Sequence, residues 1–252
     1  AGPTMAQPAV DVAKRSADTR ETMEDQVPQV RIYRAWNVAE LGTTEIDHLQ
    51  VLGSILGGAK ASRLDRRLLH DDRLVDNISA GAYGSQLGSN FVVMATVKQG
   101  VDPATVEAAI DEELERLITE GPSAEELERA KTSFRAGFVR GIERIGGFGG
   151  KADALAECTV YEGDPGCFRD SLANVAATTA EDVKAAGAKW LDVGSHTITV
   201  VPGARTALAE EPAVTPAPFT PPAPDAKYTT TRSTVDRSTG VPKTASFPEL
   251  KF

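Results

Sequence analysis

Histidine and cysteine, two residue types that commonly hold metals in proteins, are scarce in this chain of 252 residues. The three histidines, His48, His70 and His196, lie far apart, and none stands in an H-x-x-E-H or H-E-x-x-H motif. Zinc sites usually use ligands at short spacings. The sequence also lacks the G-x-S-x-G motif of serine hydrolases. We therefore predict no catalytic residue and no metal-binding residue in this chain.

Long apolar runs and basic clusters are absent as well. No stretch reaches the roughly 18 apolar residues that a membrane-spanning helix needs, and the chain does not start with the basic and apolar segments of a signal peptide. The net charge is −9, and no basic cluster is longer than Arg66-Arg67. Because an acidic surface repels phosphates, we expect neither a nucleic acid nor a membrane as partner.

Only two cysteines are present, Cys158 and Cys167, nine positions apart. Two interpretations stay open. They are either two buried thiols that behave as small apolar residues, or one disulfide bond that closes a local loop. The second would indicate an oxidising compartment. Two thiols without a nearby histidine are too few for a zinc site.

The spacing of apolar residues predicts an alternation of strands and helices. Helix starts are marked by Asp102-Pro103, by a capping box from Ser123 to Glu126 and by Thr179. The strand at 90–98 is apolar on both faces, which favours an interior position in a sheet. The other predicted elements are strands at 27–38, 74–83 and 197–201 and helices at 45–56, 62–71, 152–161 and 168–174.

This order of elements predicts an α+β fold, a two-layer sandwich of a mostly antiparallel sheet with helices packed on one face. We predict a single domain at 1–203, with an irregular lead-in at 1–16. Between Pro212 and Pro224, six of thirteen residues are proline, which favours extended backbone. We therefore predict that 204–252 is a linker or tail toward a following domain. The start at Ala1 rather than Met suggests an excised or processed piece.

One glycine-rich segment interrupts the predicted helices. It comprises Gly146, Gly147, Phe148, Gly149 and Gly150. A phosphate-binding loop would need a strand before it and a helix start after it. Here the segment interrupts a helix, so a hinge, a kink or a close-packing site is favoured.

Five stretches, in this order, resemble the second domain of one half of the pitrilysin/insulinase family of zinc peptidases, also called inverzincins. The longest is the run from Gly121 to Lys131, and the last, at 146–153, is similar to bacterial members in particular. The other three are 31–38, 52–58 and 62–68.

The resemblance implies a four-domain clamshell of two similar halves. In that family, zinc is held in the first domain of the active half by two histidines of H-x-x-E-H and a distal glutamate. No position here matches those ligands. An Arg and a Tyr of the family's last domain correspond to Leu69 and Asp76, which also argues against the last domain. The resemblance thus implies a non-catalytic second domain, inactive alone, with zinc in the parent's catalytic domain.

The implied partners are other domains or a partner subunit of the same peptidase, and the parent's peptide substrate. The glycine-rich segment would line the wall of the substrate chamber. Two alternatives remain: a domain of a catalytically dead relative that serves as a structural or partner subunit, or a free-standing peptide-binding module. The resemblance also suggests a periplasmic or otherwise exported protein.

Overall fold

The computed structural model describes residues 12–205, 218–221, 223 and 234. The chain divides into two units, Ala1–Ala207 and Leu208–Phe252. Every strand and helix of the described residues belongs to the first unit. The lead-in predicted at 1–16 and the linker predicted at 204–252 lie largely outside the described residues, so the division into a domain and a linker stays a prediction.

Five strands form one sheet, in the order β1-β5-β2-β4-β3. Neighbouring strands are antiparallel except β1 and β5, which run parallel. β4 is an interior strand, as its apolar faces predicted. The strands are β1 (Thr19–Asp25), β2 (Arg31–Val38), β3 (Val75–Tyr83), β4 (Ser89–Val97) and β5 (His196–Pro202).

Within the described residues, six α-helices and one π-helix complete the fold. Each α-helix is too short or too polar to span a bilayer. The α-helices are α1 (Thr44–Leu56), α2 (Pro103–Glu120), α3 (Ala124–Ile142), α4 (Lys151–Tyr161), α5 (Phe168–Ala177) and α6 (Ala180–Trp190), and the π-helix is Asp65–Asp71.

The predicted α+β fold is confirmed, with the buried residues on one face of the sheet. Ile32, Trp36, Phe91 and Val93 point to that face, where α1 and α6 contact the strands. The residues that alternate with them, such as Met94, are only half-buried. One face therefore carries the core and the other stays partly open, as expected for a half-covered sheet.

Two elements differ from the predicted bounds. β2 begins at Arg31 rather than at Val27, because Pro28 lacks the N–H that a sheet ladder needs and because a turn joins Val27 to Asp25. The second helix is a π-helix, in which the Asp72 N–H donates to the Arg67 carbonyl five residues earlier, at 2.8 Å. Periodicity alone does not separate a short π-helix from an α-helix.

The predicted helix starts are confirmed. The Asp102 side chain accepts from the Ala104 N–H, and Pro103 is the first residue of α2. Ser123 and Glu126 form the capping box of α3, and Thr179 forms a second capping box at the start of α6. Each cap satisfies backbone donors that the first helical turn leaves unpaired.

Glycines on α1 allow this helix to lie directly on β3. A Cβ at Gly53 would come within 2.8 Å of the Gly81 Cα, and a Cβ at Gly57 within 2.6 Å of the Ala80 nitrogen. Any side chain at these two positions would push the helix away from the strand. The glycines of the stretch 52–58 are therefore explained by close packing.

Two other stretches that carry the resemblance meet through an ion pair. Arg63 donates from Nε and Nη2 to the two carboxylate oxygens of Glu126, at 2.8 and 2.9 Å, and its Nη2 also donates to the Gly121 carbonyl at 2.9 Å. The Arg63 guanidinium holds the pKa of Glu126 at about 2, with help from the Ser123 bonds. This contact joins the start of α3 to the segment before the π-helix.

Candidate functional site

The glycine-rich segment forms a tight, bonded turn between α3 and α4. Gly147 and Gly149 have φ values of +82° and +69°, a backbone conformation that costs other residues about 1–2 kcal/mol each. The Gly149 N–H donates to the Asp153 carboxylate at 2.8 Å, and Arg144 donates to the Phe148 carbonyl at 3.1 Å. The turn thus reverses the chain and starts α4.

Large apolar side chains are exposed around this turn. Phe148, at its tip, is 96% exposed and Ile145 is 80% exposed, and Val160 and Tyr161 are exposed at the far end of α4. Exposed apolar side chains that lie together commonly mark a surface that another molecule covers. The turn and α4 are therefore candidates for contact with a partner or a ligand.

A cavity of about 530 Å³ lies between α1, α3, α4 and α5, and we call it the α4 cavity. Its volume is within the range of small-molecule binding pockets. The aromatic walls are Phe134 and Phe138 of α3 and Phe168 of α5, and the last two rings stack with centroids 5.3 Å apart. A Cβ at Gly137, also in the wall, would meet no atom within 4 Å, so α3 leaves room there.

The charged residues of the α4 cavity all have the same sign. Five carboxylates line it and, among its described lining residues, there is no lysine, arginine or histidine. None of the five forms an ion pair within the described part of the chain. They are Asp47, Asp153, Glu157, Glu162 and Asp170.

Asp47 is the buried member of this set, with 5% of its surface exposed. Ser171 Oγ and Asn174 Nδ2 donate to its two oxygens at 2.6 and 2.9 Å. Burial raises the pKa of Asp47, although these two hydrogen bonds act in the opposite direction. The pKa of Glu162 is raised too, by partial burial and by the negative charges of Asp47 and other carboxylates around it. The cavity therefore has an unneutralised negative field.

Cys158 and Cys167 both line the α4 cavity, and in the structure their sulfur atoms are bonded. The bond joins the last turn of α4 to the residue that precedes α5, with a Cα–Cα distance of 5.4 Å. It therefore fixes the wall of the cavity between these two helices.

The three histidines lie on separate elements, and the described residues contain no group of three or more His, Cys, Asp or Glu arranged to hold a metal. His196 Nδ1 is 2.8 Å from Thr19 Oγ1, and His70 Nε2 is 3.3 Å from Asp65. Leu69 packs against the core, and Asp76 accepts from Gln29. Within the part of the chain that the structure describes, these residues do not fit a zinc site.

The glycine-rich segment and the cysteine pair are separate features in the sequence. The structure brings them together, because Gly149 and the two cysteines line the α4 cavity. The sequence did not identify the carboxylates of this cavity. They are spread from position 47 to position 170 and follow no motif, so only the helix arrangement places them together. The only indication of these carboxylates in the sequence was the high number of acidic residues around the cysteine loop.

A family model described as the Peptidase M16 inactive domain matches residues 2–134. No curated protein matches the sequence. Among solved structures, a protease from Helicobacter pylori superposes with a TM-score of 0.70 at 18% identity, over 80% of this chain and 48% of the other.

Two further solved structures share the fold. The peptidase M16 inactive domain from Pseudomonas fluorescens has a TM-score of 0.66 at 18% identity, over 84% of this chain and 48% of the other. An inactive peptidase domain from Bordetella parapertussis has a TM-score of 0.63 at 18% identity, over 74% of this chain and 98% of the other. The chain thus spans about half the length of the first two structures and matches nearly all of the third.

These structural likenesses show the fold, and the sequence match is to a domain that is described as inactive. The family match agrees with the resemblance to pitrilysin-like peptidases and with a non-catalytic role. Because the family model matches more than half of the chain, this protein belongs to the family of Peptidase M16 inactive domains.

Proposed function

We propose that this chain is the supporting, peptide-facing part of a zinc peptidase whose metal-bearing domain lies outside it. The family match at residues 2–134 carries the proposal. The parent's reaction would be zinc-dependent peptide hydrolysis. Since no residue set here fits zinc, we derive no catalytic step from this chain.

Within that assembly, the turn at 146–150 and the α4 cavity form part of the wall of the substrate chamber. The exposed Phe148 and Ile145 support this role, because an apolar surface beside an open cavity suits an extended peptide. The immediate partners are the zinc-bearing domain or subunit and the opposite half. The segment 204–252 is the proposed connection toward that half.

The Cys158–Cys167 bond supports an exported location, because disulfide bonds persist in oxidising compartments such as the periplasm. Thiol titration of the protein isolated from its host under alkylating conditions tests this point. We expect no free thiol, and two free thiols would contradict an exported location.

The test of the proposed function compares two preparations. One is the 252-residue chain, and the other is the chain together with the H-x-x-E-H domain encoded in the same gene or beside it. We expect chelator-sensitive peptide hydrolysis only from the second preparation. Hydrolysis by the chain alone would contradict a non-catalytic role, and a parent without an intact H-x-x-E-H motif would favour the catalytically dead alternative.

The chamber-wall role of the turn is tested separately, in the assembled peptidase. The double substitution Gly147→Ala and Gly149→Ala forces two side chains into a left-handed backbone and should disturb the turn. We expect a higher KM for peptides. The matched control is Gly100→Ala, since Gly100 has φ +86° and open space around it but lies between β4 and α2. Unchanged kinetics in the double variant would contradict the role.

A further inference from the structure

The α4 cavity has the construction of a pocket for one side chain. Phe134, Phe138 and Phe168 provide apolar surface in its lining, and a Cβ at Gly137 in the same lining would meet no atom within 4 Å. Asp47 lies in the lining with only 5% exposure, while Glu157 and Glu162 are exposed. An apolar pocket with a few convergent polar groups is the usual form of a binding site.

The charge of the lining determines which ligand the pocket favours. Its five carboxylates have no lysine, arginine or histidine beside them in the described lining. Arg169 contacts the Phe168 ring, at 5.6 Å from its centroid, but is not a lining residue. An anionic side chain would be repelled, and a neutral one would leave the negative field unchanged. A cation would be attracted by every charged group of the lining.

The shape of the walls adds a second requirement. A cation on an apolar stem can lay its methylene groups on the phenyl rings while its charged end meets the carboxylates. The planar guanidinium of arginine also stacks on aromatic faces and offers five donors in a fixed geometry. Arg169 in α5 already lies over the Phe168 ring, with its Cζ 5.6 Å from the centroid.

We propose that the α4 cavity binds an arginine side chain of a peptide, with the stem against Phe134 and Phe138 and the guanidinium among the carboxylates of Asp47, Glu157 and Glu162. This inference rests on the proposed function, because it assumes that the wall meets peptide. It adds a preference for peptides that carry an arginine with an apolar neighbour.

The experiment measures the binding of blocked peptides to the 252-residue chain by isothermal titration calorimetry. The probes are Gly-Gly-Leu-Arg-Leu-Gly-Gly and the same peptide with citrulline, the neutral isostere of arginine, in place of the arginine. We expect the arginine peptide to bind at least about tenfold more tightly, which corresponds to about 1.4 kcal/mol.

Substitutions in the lining test whether the peptide binds in the α4 cavity. Glu162→Gln should reduce the preference for arginine severalfold, because it removes one of the lining charges. Gly137→Leu should abolish binding by filling the cavity, and it raises helix propensity, so α3 is retained. The matched control is Glu115→Gln on α2, the same change outside the lining, which should leave the affinity unchanged.

Two results would overturn the inference. Equal binding of both peptides, with no effect of Gly137→Leu, would place peptide binding elsewhere on the wall and leave the proposed function intact. Binding of neither peptide would overturn both the arginine preference and the peptide-facing role of this chain. The supporting role in a zinc peptidase would then depend only on the comparison of the two preparations described above.

Discussion

Two regions of this domain are built differently. The framework consists of the sheet with α1, α2 and α6, and the hairpin region consists of residues 134–177. In the framework, Trp36 and Phe91 are fully buried and pack edge to face at 6.0 Å. In the hairpin region, Phe148 is almost fully exposed, and α4 and α5 begin without a side-chain cap.

The difference indicates that the framework provides stability and that the hairpin region provides the binding surface. The framework buries a continuous apolar core and satisfies its helix starts with Thr43, Asp102 and Thr179. The hairpin region buries few apolar side chains, Val175 among them, around the α4 cavity, and one disulfide bond and a glycine turn hold it. Regions with few buried apolar contacts open locally at low cost. Such a region can adapt to a peptide while the framework stays folded.

The largest expected effect is on the free energy of unfolding, which a Phe→Ala substitution should change very differently in the two regions. Phe91→Ala should reduce the free energy of unfolding by about 3–5 kcal/mol, because it leaves a hole beside Trp36. Phe148→Ala should change it by less than about 0.5 kcal/mol, because the ring is 96% exposed. Urea unfolding of both variants checks this contrast. Similar losses would mean that the hairpin region contributes to the core.

Removal of the disulfide bond should have the second largest effect on stability. The double substitution Cys158→Ser and Cys167→Ser should cost about 2–3 kcal/mol, the chain-entropy value for a loop of about ten residues. The loss should concern α4 and α5, because the bond joins these two helices. Limited proteolysis checks the location, with Phe91→Ala as the global control. Early cleavage within the sheet would contradict the separation of the two regions.

The Arg63–Glu126 pair should contribute about 2 kcal/mol, the usual value for hydrogen bonds to charged groups. Its contribution depends on pH. The folded pKa of Glu126 is about 2, below the ordinary 4.5, so the contribution is complete above pH 4.5 and is lost as the pH falls toward 2. The penalty of Glu126→Gln should therefore shrink over that window.

The control for this prediction is Asp182→Asn in the second capping box. Asp182 accepts hydrogen bonds from Thr179 and pairs with no arginine among the described residues, so its loss should cost about 1 kcal/mol. These hydrogen bonds also lower the pKa of Asp182, so its smaller penalty should shrink on acidification as well. Urea unfolding at pH 7, 4 and 3 compares the two variants. A Glu126→Gln penalty that does not change with pH would show that charge is not the cause.

The smallest expected effect is a gain in stability. Gly137→Ala should increase the free energy of unfolding by about 0.5–1 kcal/mol, because alanine is the better helix former and the new Cβ meets no atom within 4 Å. Thermal unfolding checks the increase. A destabilised variant would show that the wall of the α4 cavity is closed rather than open.

The framework could be predicted from the sequence because the signals for its elements are local. Asp102-Pro103 and Thr179 act within one turn of helix, and the apolar residues on both faces of β4 indicate its interior position directly. The parallel pairing of β1 with β5 was not predicted, since it joins segments more than 170 positions apart. The exact helical form at Asp65–Asp71 also depends on contacts that periodicity does not show.

The candidate site was predicted only in part. The glycine turn stood out because four glycines lie within five positions, and the cysteine pair stood out because the chain contains only two cysteines. The carboxylates did not stand out, because Asp47 and Glu162 come together only when α1 and α4 pack around one cavity. An ordinary acidic residue on a helix gives no sign that its neighbours in space have the same charge.

Hydrogen exchange of the 252-residue chain, with and without saturating Gly-Gly-Leu-Arg-Leu-Gly-Gly, tests the central claim most directly. The claim is that the hairpin region binds peptide while the framework supports it. We predict faster exchange in the hairpin region of the free chain and slower exchange there, at α3 to α5, when the peptide is bound. Protection confined to the framework, or no change in the hairpin region, would contradict this account.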